Sequence, residues 1–260
     1  MTILDQINQY KKKEVEAKKN TLPIKVLEQS NHFGRKPLSL VASLQKKEIG
    51  IIAEHKRKSP SKSVINDKVA LPEVVKVYQN AGASGISILT DTFYFGGSLA
   101  DLALARAMVP LPILRKDFII DPYQIIEAKA FGADVILLIA ASLSQTEIKE
   151  FSALAQSIGL EVLVEIHAEL ELKKAIHPTV NLIGVNNRNL KTFEVSIEKS
   201  IQLSEKIPAE FVKISESGIG TIESITTLQK YGFKGFLMGE HFMKSMQPGA
   251  MAQQFIQQLT

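Results

Sequence analysis

Seven polar side chains in this 260-residue chain stand at the ends of apolar runs, and their types are those of acid–base chemistry. Glu54 and Lys56 follow Gly50-Ile51-Ile52-Ala53, Lys116 follows Ile113-Leu114, and Glu165 follows Val162-Leu163-Val164. Asn186 and Arg188 close the run Leu182-Ile183-Gly184-Val185, and Glu216 follows Ile214-Ser215. An ammonium donates a proton and a carboxylate takes one, so lysines and glutamates brought together can move protons at neutral pH. Side chains alternate along a strand. Ile52, Glu54 and Lys56 therefore share a face, as do Leu114 and Lys116, Leu163 and Glu165, Asn186 and Arg188, and Ile214 and Glu216. If each set faces one axis, three cations, three carboxylates and an amide meet in one mouth. Singly, each has a plainer explanation: Lys116 pairing with Asp117 at the rim, or Glu165 in a structural ion pair. Buried ion pairs add little net stability, so a cluster of them points to a ligand.

The elements that would position these groups repeat. Eight apolar runs each end in a polar tail, and each is followed by a helix-patterned stretch. The spacing predicts strands near 49–54, 85–90, 112–116, 134–139, 161–166, 182–186, 211–215 and 235–238. It predicts helices near 71–81, 98–109, 122–131, 145–158, 168–176, 197–206, 221–231 and 249–259. Near-continuous apolar strands joined by helices imply a parallel sheet covered on both faces. Eight such units in this length imply a single (β/α)8 TIM barrel, whose active site lies at the carboxyl ends of the strands. A doubly wound open sheet would usually carry a GxGxxG turn after an early strand, and none follows any strand here. Residues 1–48 read as an N-terminal helical extension packed on the barrel, and 49–260 as the barrel itself. In the extension Ile3, Leu4, Ile7, Val15 and Ala17 loosely keep helical spacing, and Leu38-Ser39-Leu40 begins a further short helix. The lysines at 11–13 and 18–19 read as a solvated helix face.

Composition removes several classes. With no cysteine there is neither a disulfide nor thiolate chemistry, and the five histidines show no HxH or HExxH spacing, so no metal is expected. The longest apolar run, 135–141, is too short to span a bilayer, and Asp5 stands where a signal peptide would be apolar. A cytoplasmic protein with no membrane partner is the expectation. The formal charge of +4 is modest, and its basic residues are not interleaved with aromatics as a nucleic-acid surface requires. A small anionic substrate suits it better. No apolar stripe is left over, so a monomer is expected.

Two further segments bear on a ligand. The connection from Lys56 to Leu71 is long, and Lys56, Arg57, Lys58 and Lys62 are cations in its first seven positions. Loops beyond about 12 residues are functional lids or disordered, and length alone leaves that choice open. Ser217-Gly218-Ile219-Gly220 precedes a helix, and Gly239 ends the last strand. In barrels a phosphate often sits between the loops after strands 7 and 8, held by backbone N–H groups and a helix N-terminus.

The motifs together resemble a known family. Residues 52–62 (IAEHKRKSPSK), 114–119 (LRKDFI), Val164-Glu165, 186–190 (NNRNL) and 215–219 (SESGI) are similar to the motif set of indole-3-glycerol-phosphate synthase. Residues 94–98 (YFGGS) and Gly132-Ala133-Asp134 match as well. The resemblance spans nearly the whole chain. It implies ring closure of 1-(2-carboxyphenylamino)-1-deoxyribulose 5-phosphate to indole-3-glycerol phosphate, with loss of CO₂ and water, in tryptophan biosynthesis. It implies no metal and no organic cofactor. Lys116 would be the general acid toward the substrate carbonyl. Glu165 and Lys56 would form the acid–base pair of the dehydration, in an order the sequence leaves open. Glu54 and Glu216 would orient lysines and substrate hydroxyls, and Asn186 and Arg188 would contact the anthranilate end or the intermediate. Lys56, Ser217, Gly218 and Gly239 would hold the phosphate, Ser59 would bind substrate from the loop, and Phe95 and Phe118 would flank the aromatic ring. By parity His55 points outward and should pack, whereas Glu240, beside a phosphate site, has no evident use.

Three other readings compete. A Schiff-base aldolase or synthase would use Lys116 as nucleophile. A sugar-phosphate isomerase is possible on fold alone. A non-catalytic protein binding an anionic polymer through the basic loop would show steep salt dependence, but it would need no convergent carboxylates.

Overall fold

The computed structural model describes residues 1–189, 192 and 194–259, so Leu190 at the end of the NNRNL motif lies outside the described residues. Three helices come first: α1 (Ile3–Thr21), α2 (Ile24–Leu27) and α3 (Leu40–Gln45). Strands and helices then alternate as β1 (Gly50–His55), α4 (Leu71–Asn80), β2 (Gly85–Leu89), α5 (Leu99–Met108), β3 (Ile113–Lys116) and α6 (Pro122–Ala130). There follow β4 (Val135–Ile139), α7 (Gln145–Ser157), β5 (Glu161–Ile166), α8 (Glu169–Ala175), β6 (Leu182–Asn186) and α9 (Glu198–Ser204). The series ends with β7 (Val212–Glu216), α10 (Ile222–Lys230), β8 (Phe233–Met238), α11 (Glu240–Met243) and α12 (Pro248–Gln257). All eight strands are parallel, each pairs with the next, and β8 pairs back to β1. The fold is the (β/α)8 TIM barrel that the repeat implied. The strands and helices expected from residue 49 onward start and stop within two residues of the observed ones, whereas the sequence pattern did not reveal the short α2 and α11.

Local chemistry sets the helix ends. Asp121 accepts from the Tyr123 N–H at 2.9 Å and Pro122 opens α6, where its missing N–H costs nothing. Gly82, Gly132, Gly159 and Gly232 follow helices with φ between 81° and 90°, the left-handed conformation that an L side chain resists.

Strand alternation divides the apolar residues between two layers. Ile51, Ala53, Ile86, Ile88, Ile136, Leu138, Val162 and Val164 face the helices. Ile52, Leu114, Leu137, Leu163, Leu182, Ile214 and Leu237 fill the barrel interior together with Leu40 and Leu44 of α3. The α3 helix thus plugs the amino-terminal end of the barrel. The strand starts are shaped for it: a Cβ on Gly50 would meet Leu44 at 2.4 Å, and one on Gly85 would meet Leu40 at 2.7 Å. Glu161, at the start of β5, accepts from the Leu40 and Val41 N–H groups at 2.8 and 3.1 Å, which anchors the first turn of the plug.

The lysine-rich face of α1 is not wholly solvated, and this corrects the sequence expectation. Lys11 is only 1% exposed, whereas Lys12 and Lys13 are open to solvent; Ala17, read as part of the apolar spacing, is exposed as well. The Lys11 amine lies 2.9 Å from Asp91 and 3.0 Å from Asp117, at the ends of β2 and β3. From there a closed ring of charges runs Asp117–Arg115–Glu127–Lys18–Glu14 and back to Lys11. Periodicity could not show this, because the carboxylates that make Lys11 tolerable in the interior lie about 80 to 106 residues away. Burial lowers the Lys11 pKa and Asp117, Asp91 and Glu14 raise it, leaving it above the ordinary lysine value. Removing the amine takes from buried Asp91 the cation it pairs with and leaves Asp117 paired with Arg115 alone. Lys11→Met should therefore destabilise the fold by about 3–5 kcal/mol in urea unfolding; a loss below about 1 kcal/mol, the range of surface pairs, would show that the ring is dispensable.

Candidate active site

The carboxyl ends of the strands surround a cavity of about 450 Å³, within the usual size of a small-molecule site. All thirteen residues singled out from the sequence border it: Glu54, Lys56, Ser59, Phe95, Lys116, Phe118, Glu165, Asn186, Arg188, Glu216, Ser217, Gly218 and Gly239.

Lys116, the last residue of β3, organises the floor. Its amine lies 3.1 Å from Glu165 Oε2 and donates also to Glu216 Oε2. It does not pair with Asp117, which Lys11 and Arg115 occupy. Glu165 Oε1 accepts from Asn186 Nδ2 at 3.1 Å, and Asn186 Oδ1 accepts from the Arg188 N–H at 3.0 Å. Across the mouth, Lys56 stands 3.3 Å from Glu54 Oε1, and Glu54 Oε2 accepts from Ser87 at 3.1 Å.

Burial by itself would pull the Lys116 pKa down, but Glu216, then Glu165 and Glu54, outweigh it and hold the amine protonated. The two carboxylates on that one ammonium diverge. Burial pushes Glu165 up, yet Lys116, His167 and Asn186 bring it below the ordinary range. Glu216 ends above that range, raised first by burial and further by Glu165, against the pull of Lys116. The hydrogen bonding explains the difference: Glu216 Oε1 is buried without a donor, whereas both Glu165 oxygens have one.

One wall is apolar and the opposite rim is built of backbone. Phe95 and Phe118 lie with ring centroids 5.8 Å apart, beside Pro60, Leu137 and Ile139. On the far side Ser217 and Gly218 are both left-handed, with φ of 68° and 70°. A Cβ on Gly218 would meet Val195 at 1.8 Å, so only glycine fits there. Such consecutive turns aim N–H groups into a concavity that suits anions. Asn187 holds this turn by donating to the Ser217 carbonyl at 3.1 Å and to Ser215 Oγ at 3.0 Å. Its outward parity at the end of β6, next to β7, was the available signal.

The long connection after β1 is ordered, and three of its cations are engaged. Arg57 forms a two-point pair with Asp101 at 2.7 and 2.9 Å, Lys58 donates to the Phe93 carbonyl at 2.7 Å, and Lys62 lies 2.5 Å from Glu240. Only Lys56 of the four borders the cavity. Glu240 gathers Lys62, Lys244 and Arg188, so the carboxylate without an evident use holds cations at the rim. His55 is buried and its pKa falls to about 4, from burial and then Arg57, so it packs as a neutral ring. The sequence reading missed Ile3, Leu4 and Ile7, which bring α1 to the cavity edge; their helical spacing was visible but not their target. Among the described residues no group of three His, Asp or Glu side chains is arranged to hold a metal.

The family model described as indole-3-glycerol phosphate synthase matches residues 4–256. The chain belongs to the indole-3-glycerol phosphate synthase family. The indole-3-glycerol phosphate synthase of Bacteroides thetaiotaomicron is 46% identical over 254 residues, covering 98% of this chain and 97% of that one. That of Carboxydothermus hydrogenoformans is 43% identical over 256 residues, 95% of this chain and 96% of that one. Among solved structures, a tryptophan synthase complex from Pyrococcus furiosus matches with a TM-score of 0.60 at 16% identity, over 81% of this chain and 97% of that chain. At that identity the likeness is one of fold. Membership in the synthase family makes the chain a decarboxylating lyase of tryptophan biosynthesis.

Gly184 of β6 gives Glu216 its place, since a Cβ there would meet Glu216 Oε1 at 2.3 Å. Gly184→Ala should push the carboxylate off its line with Lys116 and lower the synthase kcat by about tenfold or more, on the scale of a misplaced catalytic group. Wild-type turnover in that variant would show that Glu216 can move without consequence.

Proposed function

We propose that the cavity closes the indole ring of 1-(2-carboxyphenylamino)-1-deoxyribulose 5-phosphate, with the residues above in the following roles. The observation that carries the reading is one ammonium held between two buried carboxylates, with an aromatic wall on one side and a left-handed backbone turn on the other. The carboxyphenyl ring lies against Phe95 and Phe118. The phosphate sits at Ser217, Gly218 and Gly239, within reach of Lys56, and Ser59 closes over the substrate from the loop. Lys116 gives a proton to the carbonyl oxygen as the ring carbon bearing the carboxylate attacks the carbonyl carbon. Loss of CO₂ returns the electron pair of the broken C–C bond to the ring. The new hydroxyl then leaves as water.

For that last step an ionised Glu165 suits the base that takes the amine proton, and Lys56, beside Glu54, suits the acid at the leaving hydroxyl. Arg188 and Asn186 hold the intermediate, and Glu54 and Glu216 orient the lysines and substrate hydroxyls. The raised Lys116 pKa disfavours a Schiff-base mechanism, which needs a neutral amine. We further take residues 1–48 as an extension of the barrel, and the enzyme as a cytoplasmic monomer. Sedimentation at micromolar concentration checks the monomer.

Lys116→Met should lower kcat by about 10²–10⁴, the effect of losing a general acid, in an ultraviolet assay of indole formation from the synthetic sugar phosphate. Borohydride added during turnover should trap no adduct. Near-normal turnover in the variant, or a trapped adduct on Lys116, would displace the acid role.

A further inference from the structure

One titratable side chain touches the catalytic cluster from behind without bordering the cavity. His167 is the first residue after β5, and its side chain is 10% exposed. Its Nε2 lies 3.6 Å from Glu165 Oε1, and its Nδ1 lies 3.6 Å from Glu171 Oε2 on α8. Glu171 is itself fixed, because Oε2 accepts from the His167 backbone N–H at 2.6 Å. Both ring nitrogens are buried and neither makes a hydrogen bond. A neutral imidazole has one N–H and one lone pair, so it would set the lone pair against a carboxylate. An imidazolium presents an N–H to each side. The charged ring is therefore the one that fits between two carboxylates.

We propose that His167 is a positioning residue for the reaction: as an imidazolium bridge between Glu171 and Glu165, it holds the Glu165 carboxylate oriented and ionised for the base step. The proposal rests on the base role given to Glu165 above. With the bridge in place Glu165 Oε1 is met by His167 and Asn186, and Oε2 by Lys116, so the carboxylate cannot turn as the proton arrives. The charged groups facing the ring are Glu165 of β5, Glu171 of α8 and Glu216 of β7. Lys174 of α8 acts on Glu171 and donates to the Ala140 and Leu143 carbonyls, and Lys116 lies on the other side of Glu165. Burial pulls the imidazole pKa down, but Glu171, then Glu165 and Glu216, leave it above the ordinary value. The two carboxylates thus favour the charged ring over a free imidazole, and the bridge is lost as pH rises through that raised pKa.

The test combines proton NMR of the histidine rings with kcat against pH, using His167→Gln, Glu171→Gln and Glu165→Gln. In the wild type the His167 ring should titrate above the ordinary histidine pKa of about 6.5, and its midpoint should fall by about one unit in Glu165→Gln and in Glu171→Gln. His167→Gln should lower kcat about tenfold with KM within about twofold, on the scale of a displaced but present base, and should abolish the alkaline inflection at the His167 midpoint. Glu171→Gln, remote from the cavity, should move that inflection to lower pH, and it carries the test if His167→Gln does not fold. An His167 midpoint indifferent to Glu165→Gln, or superimposable kcat profiles, would overturn the bridge. If those profiles superimpose while Glu165→Gln collapses kcat, only the His167 role falls. If Glu165→Gln keeps wild-type kcat, the base assignment falls and takes the bridge with it.

Discussion

Burying three carboxylates around one mouth is tolerable only because an ammonium is delivered to the middle of them. Lys116 meets Glu165 and Glu216, and Lys56 meets Glu54, so each like-charge repulsion is offset within a few ångströms. Two carboxylates on one ammonium cannot both be satisfied equally. The one with donors on both oxygens stays ionised, and the one with a bare oxygen holds its proton more readily. A protonated amine beside a ready base is the arrangement that a ring closure followed by dehydration uses. On the roles proposed above, the division of labour between the two carboxylates follows from their unequal hydrogen bonding.

That arrangement requires rigid supports, and the barrel supplies them at both ends. Below, Leu40 and Leu44 plug the interior and lock strand starts that are glycine for their sake. Above, the ring of charges through Lys11 ties α1 to the ends of β2 and β3, one residue from Lys116. Buried pairs of this kind are weak as sources of net stability, but they fix position. The same helix brings Ile3, Leu4 and Ile7 to the cavity edge, so the segment that closes the site also anchors it.

The basic loop shows how little a charge count says without partners. Arg57, Lys58 and Lys62 read as a cluster awaiting an anion, yet each is held by Asp101, a backbone carbonyl or Glu240. The site keeps Lys56 for the cavity and uses the others to order the loop that carries Ser59 and Pro60 over it.

The eightfold repeat and the strand parity, and with them the convergence of Glu54, Lys56, Lys116, Glu165, Asn186 and Glu216, are legible in the amino-acid order. These depend on local periodicity, which is written in adjacent residues. That Lys11 is buried, that α3 plugs the barrel, that Asn187 holds the Ser217 turn and that His167 stands between two carboxylates is visible only in the folded chain. The first three depend on partners brought near by the fold, some of them scores of residues away in the chain, whereas Glu165 and Glu171 are near His167 in sequence and the turn from β5 into α8 aims them at its ring. A charged side chain carries the same letter whether its partner is water or a buried carboxylate, and only the folded chain supplies the partner.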